Sequence, residues 1–123
     1  MSARILCVDD DSHINELNHF VLTRAGYEVA TAESPAEALN QLKTEAFDLV
    51  ITDLFPQLLS EAFVTRLRGL NPAMLVILVT GNHNPPPEIL RQVDACVLKA
   101  YSPSGLTESV REVLTRTKLR RIV

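Results

Sequence analysis

Asp9-Asp10-Asp11, Asp53, Thr80 and Lys99 are the residues of this chain whose types and spacing could do chemistry together. Each stands at the end of a short apolar run: Arg4 to Val8 leads into the three aspartates, Phe47 to Thr52 into Asp53, Leu75 to Val79 into Thr80, and Ala95 to Leu98 into Lys99. Several carboxylates gathered in one crevice resist ionising together. A divalent cation reverses that logic and favours the ionised forms. Mg²⁺ suits such a set, because it takes one or two carboxylates together with waters and a phosphate. A lysine supplies a compact positive charge for a phosphoryl oxygen, and a threonine hydroxyl can donate to another. An aspartate at a strand end can itself act as nucleophile and form an aspartyl phosphate. Taken singly, each residue has an ordinary reading: a helix cap with favourable dipole charge for the aspartates, a turn residue for Thr80, a solvated side chain for Lys99. Their order at successive strand ends points instead to a site for metal and phosphate.

The elements that must position these groups follow from the pattern of the chain. Arg4–Val8 reads as a first strand, and the next helix carries Ile14, Leu17, Val21 and Leu22 at helical spacing with Phe20 beside them. Asp11 or Ser12 is its N-cap and Gly26 its stop. Tyr27 to Thr31 is a second strand. Ser34-Pro35-Ala36-Glu37 is a capping box with proline at the first helical position, opening a helix that turns Ala38, Leu39, Leu42 and Ala46 inward. The strand ending at Asp53 has β-branched Val50, Ile51 and Thr52 and suits a sheet covered on both faces. A loop through Leu59 follows, then a third helix capped by Ser60, with Phe63, Val64 and Leu67 inward and a stop near Gly69. After the strand Leu75–Val79, the three prolines Pro85, Pro86 and Pro87 leave room for only a short helix over Glu88 to Val93. A fifth strand, Ala95–Leu98, precedes a helix begun by Ser102-Pro103, with Leu106, Val110, Val113 and Leu114 inward, and a basic tail. Five strands alternating with five helical segments specify a parallel sheet with helices on both faces. The carboxyl ends of its strands, where ligands bind in such sheets, share one edge.

Length and composition bound the rest. At 123 residues the chain is a single domain, with a core over about residues 4–117 and residues 118–123 a basic tail or the start of a linker. A net charge of -3 does not suit nucleic acid as a partner of the domain. No apolar run reaches the length of a membrane span, and the opening residues do not read as a signal peptide, so a cytoplasmic protein is expected. The two cysteines, Cys7 and Cys96, both sit in apolar runs and are expected to be buried free thiols. His13, His19 and His83 lack metal-ligand spacing.

On these residues the sequence resembles the receiver domains of two-component response regulators, from about Arg4 to Thr117. The matching pieces are Ile-Leu-Cys-Val-Asp-Asp-Asp, Phe-Asp-Leu-Val-Ile-Thr-Asp-Leu with a proline soon after, Val-Ile-Leu-Val-Thr-Gly, and Val-Leu-Lys. The resemblance implies an α/β doubly wound, flavodoxin-like (βα)5 fold with a five-stranded parallel sheet in the order 2-1-3-4-5. It implies that Asp53 accepts a phosphoryl group from a histidine kinase or histidine phosphotransfer protein. Asp10 would hold Mg²⁺ directly and Asp9 directly or through water, with Asp53 and the main-chain carbonyl of Phe55 as further ligands. Thr80 and Lys99 would contact the phosphoryl oxygens. The face made by the fourth helix, fifth strand and fifth helix would pass the change to an output domain or protein, and a homodimer through it is conceivable.

Four features depart from the family's pattern. Cys96 replaces the usual aromatic three residues before the lysine, so a threonine–aromatic coupling cannot operate in its usual form. Ala100 replaces the proline after the lysine, which removes the usual cis bond, since a cis peptide before a non-proline costs about 2.5–4 kcal/mol. The loop after Asp53 is one residue short and unusually apolar at Phe55, Leu58 and Leu59, with Ser60 where glycine is common. The segment from Thr80 to Lys99 is short, so the fourth helix is expected to be stunted. A pseudo-receiver, binding partners without turning over phosphate, is the competing reading, and Mg²⁺ binding separates the two. A haloacid-dehalogenase-type hydrolase would use Asp9 and Asp11 as its Asp-x-Asp pair but would leave Asp53 without a role. A flavodoxin is excluded, because carboxylates after the first strand would repel a flavin phosphate.

Overall fold

The computed structural model describes residues 3–53, 57–81, 84–98 and 103–122. Phe55, His83, Lys99, Ala100 and Ser102 therefore lie outside the described residues. The strands are β1 (Arg4–Val8), β2 (Glu28–Ala32), β3 (Leu49–Asp53), β4 (Leu75–Thr80) and β5 (Ala95–Leu98). The helices are α1 (Ser12–Arg24), α2 (Pro35–Thr44), α3 (Gln57–Leu70), α4 (Pro87–Leu90) and α5 (Pro103–Ile122). All four strand pairings are parallel, and the sheet order is β2-β1-β3-β4-β5. No helix among the described residues is long and apolar enough to cross a membrane.

Alternation along the central strands divides the core between the two faces of the sheet. Leu6, Val8, Val50 and Val76 pack with Ala38 and Leu39 of α2 and Phe63 and Leu67 of α3. Ile5, Cys7, Leu49, Ile51, Ile77 and Val79 pack on the other face with Leu22 of α1 and Leu106, Val110 and Val113 of α5. Strands buried on both sides explain the unbroken apolar runs of β3 and β4.

Local chemistry sets the boundaries. The Asp11 carboxylate accepts the His13 amide at 2.9 Å and caps α1. At its other end Gly26, with φ of 102°, lets its own N–H reach the Thr23 carbonyl and that of Tyr27 reach Leu22. A residue with a Cβ resists that conformation. Ser34 caps α2 by accepting the Glu37 amide at 3.1 Å, and Glu37 reaches back to the amide of Glu33, one residue earlier than the capping-box pattern places it.

Four expectations are corrected. Ser60 lies inside α3 rather than capping it, because Gln57, Leu58 and Leu59 are already helical. Ala46 is exposed, since α2 ends at Thr44 and Glu45 is extended with φ of -134°. In α1 the buried residues are Asn15, Asn18 and Leu22, whereas Leu17 is 46% and Phe20 58% exposed. The inward stripe is thus turned away from the apolar spacing of the sequence, with the Phe20 ring lying against the Arg24 guanidinium at 5.5 Å. Cys96 is exposed. It sits on the edge strand, whose outer face is left open by α4, a helix of only four residues. The stunted fourth helix is as expected, and α5 continues through the basic tail to Ile122.

Candidate functional site

The site is built where the strand order reverses, between β1 and β3. In doubly wound sheets the crevice beyond the strand ends opens at this point. Asp9 directly follows β1 and Asp53 ends β3, with exposures of only 3% and 6%, while Asp10 is exposed. Asp9, Asp10 and Asp53 each offer a carboxylate oxygen, and these oxygens lie within 4.8 Å of one another. Two buried acids and one open one, converging on a point at the surface, make an all-oxygen set suited to a hard divalent cation. Thr80, 2% exposed, ends the neighbouring strand β4, and its register partner on β5 is Leu98. The structure therefore brings Asp9, Asp10 and Asp53 together and buries Thr80 on the adjoining strand. Lys99 and the Phe55 carbonyl fall outside the described residues.

The turn that carries the acids is tightly bonded. The Asp9 carboxylate accepts the Asp11 amide at 2.9 Å, and the Asp9 N–H donates to the Ala32 carbonyl at 3.1 Å. Asn15, 4% exposed, donates its side-chain amide to the carbonyls of Asp9 at 2.9 Å and Ala32 at 3.0 Å. Sequence reasoning missed Asn15, because polarity at that helix position reads as an outward side. It also missed Arg68 of α3. The Arg68 guanidinium donates to the carbonyls of Met74, Pro72 and Gln92 and pairs with Asp94 at 3.2 Å, clipping α3 to the turn before β5. No periodicity or motif marks it.

Cys7 lies two residues before Asp9 on the same face of β1. Burial, with a smaller push from the Asp9 charge, raises its thiol to about 12. Partial burial raises Cys96 as well. At neutral pH a thiol reagent is therefore expected to modify Cys96 in the native protein and Cys7 only on unfolding. A free cysteine in the unfolded chain ionises near pH 8.5. Native Cys7 holds its proton to about 12, so its contribution is intact below the unfolded value and is lost as pH rises through that window. The loss has a slope of up to about 1.4 kcal/mol per pH unit. Urea midpoints of wild type and Cys7→Ala at pH 8 and at pH 10.5 check this: the wild type should fall further than the variant, and equal falls would refute the assignment.

Fold and site together define a flavodoxin-like α/β domain with a metal-competent acidic crevice at its switch point. The family model described as the response regulator receiver domain matches residues 5–111. The chain belongs to that family, the receiver domains of two-component systems. It is similar to the alkaline phosphatase synthesis transcriptional regulatory protein PhoP of Bacillus subtilis, 29% identical over 97% of this chain and 51% of that protein. It is also similar to the transcriptional regulatory protein GlrR of Escherichia coli K12, 38% identical over 94% of this chain and 27% of that protein. The chain thus spans about half or less of the length of these relatives. Among solved structures, a CheY-like receiver domain protein from Methanospirillum hungatei superposes with a TM-score of 0.90 at 30% identity, covering 98% of this chain and 99% of that one. The response regulator TrrA from Thermotoga maritima, in complex with Mg²⁺-BeF, superposes with a TM-score of 0.82 at 31% identity, covering 92% of this chain and 99% of that one.

Proposed function

We propose that this receiver domain accepts a phosphoryl group on Asp53 from the phosphohistidine of a kinase or phosphotransfer protein and thereby changes a surface read by an output domain or protein. The observation that carries the reading is the convergence of the Asp9, Asp10 and Asp53 oxygens within 4.8 Å at the switch point. Asp9, Asp10, Asp53 and the Phe55 carbonyl would hold Mg²⁺. Bound there, the ion supplies the positive charge that offsets the crowded oxyanions. An Asp53 oxygen attacks phosphorus, the phosphorus–nitrogen bond to the histidine breaks, and the new phosphorus–oxygen bond leaves an acyl phosphate. Thr80 and Lys99 donate to the phosphoryl oxygens and register the new charge. The Mg²⁺-BeF complex of the similar Thermotoga response regulator supports Mg²⁺ as the ion. The longer transcriptional relatives support an output partner.

The test is incubation with Mg²⁺ and a small acyl phosphate donor, followed by intact mass, alongside calorimetric titration of Mg²⁺. A phosphate adduct is expected with Mg²⁺ and not in EDTA. Absence of both adduct and Mg²⁺ binding would leave a pseudo-receiver.

A further inference from the structure

We infer that Asn15 is the positioning residue of the acid pair: its side-chain amide sets where Asp9 and Asp10 present their carboxylates. The inference rests on the reading of those acids as metal ligands. Pairing between β1 and β2 ends at Val8 and Ala32, so the Asp9 carbonyl is the first one past that ladder. Buried carbonyls need donors. Asn15 supplies one to Asp9 at 2.9 Å and a second to Ala32 at 3.0 Å, the carbonyl that already takes the Asp9 N–H at 3.1 Å. The strand end carrying Asp9 is thus tied to β2 from both sides of its peptide.

The same residue holds the other end of the turn. The Asn15 N–H donates to the Asp11 carbonyl at 3.1 Å, while the Asp11 N–H closes on the Asp9 carboxylate at 2.9 Å. Asp10 lies between a point held by the Asn15 side chain, at Asp9, and one held by the helix main chain, at Asp11, and only the first depends on the side chain. The side chain has a cost that an apolar residue would avoid, because its Oδ1 is buried with no hydrogen-bond partner among the described residues. A leucine of nearly the same size would pack α1 on the sheet without that orphaned oxygen. What the leucine lacks is the pair of donors, one for the Asp9 carbonyl at the site and one for Ala32 on the strand beside it.

Outer-shell partners of metal ligands typically change metal affinity 10–100-fold when removed. Asn15→Leu is therefore expected to weaken Mg²⁺ binding by about tenfold or more, measured by titration at a temperature where the variant is fully folded. Leu42→Ala, partly buried on α2 and remote from the turn, serves as a control of lowered stability and should bind Mg²⁺ as the wild type does. A second readout needs no metal. In EDTA, hydrogen exchange at the Asp11 and Asn15 amides should quicken in Asn15→Leu beyond any change shared by the β3 amides. Wild-type affinity in Asn15→Leu, or exchange at the turn that tracks β3, overturns the inference. If the wild type itself binds no Mg²⁺, the metal reading fails and the exchange result alone decides whether Asn15 holds the turn. Should Asn15→Leu fail to fold, Asn15→Ser, which keeps one donor, takes the same two measurements and the same criteria.

Discussion

Asp53→Asn is expected to abolish phosphoryl uptake and, in EDTA, to make the protein more stable rather than less. The first half follows from the nucleophile: an amide oxygen forms no acyl phosphate, and no other residue ends β3. The second half follows from charge. Asp53 shares a space within 4.8 Å with two other carboxylates, and both Asp9 and Asp53 are buried. At such a separation a like pair repels by about 1–3 kcal/mol for effective dielectric constants between about 80 and 20, and the exposed Asp10 lies toward the weak end. Asparagine has nearly the same shape and keeps polar atoms for the neighbouring groups. A net gain of about 1–2 kcal/mol is expected, read as a higher urea midpoint at unchanged slope and diminishing with added salt. Saturating Mg²⁺ should narrow the gap, since the cation stabilises the state that binds it better. An adduct that survives the substitution, or a variant less stable than wild type in EDTA, would refute this account of the site.

Arg68→Ala should produce the largest loss of stability outside the hydrophobic core, about 2–4 kcal/mol. The guanidinium serves the carbonyls of Met74, Pro72 and Gln92, and its partner Asp94 also accepts the Val76 amide at 2.8 Å. Removing it strands part-buried acceptors at Met74 and Gln92, in the turns before β4 and before β5. The Arg68–Asp94 ion pair itself contributes little of the total, because both side chains are more than a quarter exposed. Lysine at this position should recover less than half of the loss, because an ammonium cannot serve several acceptors in the plane of a fork. Urea denaturation gives the total. Hydrogen exchange should show the loss concentrated at Asp94 and β5, whose approach to β4 begins with the Asp94 N–H bound to Val76 at 2.7 Å. An alanine variant within about 0.5 kcal/mol of wild type would mean the clip is ornamental.

Much of this architecture was legible in the chain. Strand positions could be read because all but β2 are apolar runs that end at or just before a polar group, and β1 and β5 match the expected limits at both ends. The sheet order was accessible only through resemblance, since periodicity says which segments are strands and not which are neighbours. The convergence of the acids was legible because each follows or ends an apolar strand at the same edge of the sheet. What failed was face assignment near the site. In α1 the apolar spacing pointed to Leu17, yet the strand-end carbonyls of Asp9 and Ala32 demand donors there, and Asn15 turns inward with Asn18 to the side the apolar pattern gave to solvent. Cys96 failed for a related reason: its apolar neighbours suggested burial, but cover for an edge strand comes from the adjoining helix, and α4 is one turn long.

That single turn also shapes how the molecule must assemble. β1, β2 and β3 come early in the chain and bring the acids together, while β4 and β5 lie outside β3. Parallel pairings close long loops and form slowly. β4, all β-branched or leucine from Leu75 to Val79, therefore depends on β5 and α5 for cover, since the helix that follows it has only four residues. Short apolar β-formers left open in this way are where chains stick to one another. The C-terminal third of the protein thus shields the most apolar strand, and a chain cut before α5 is expected to aggregate.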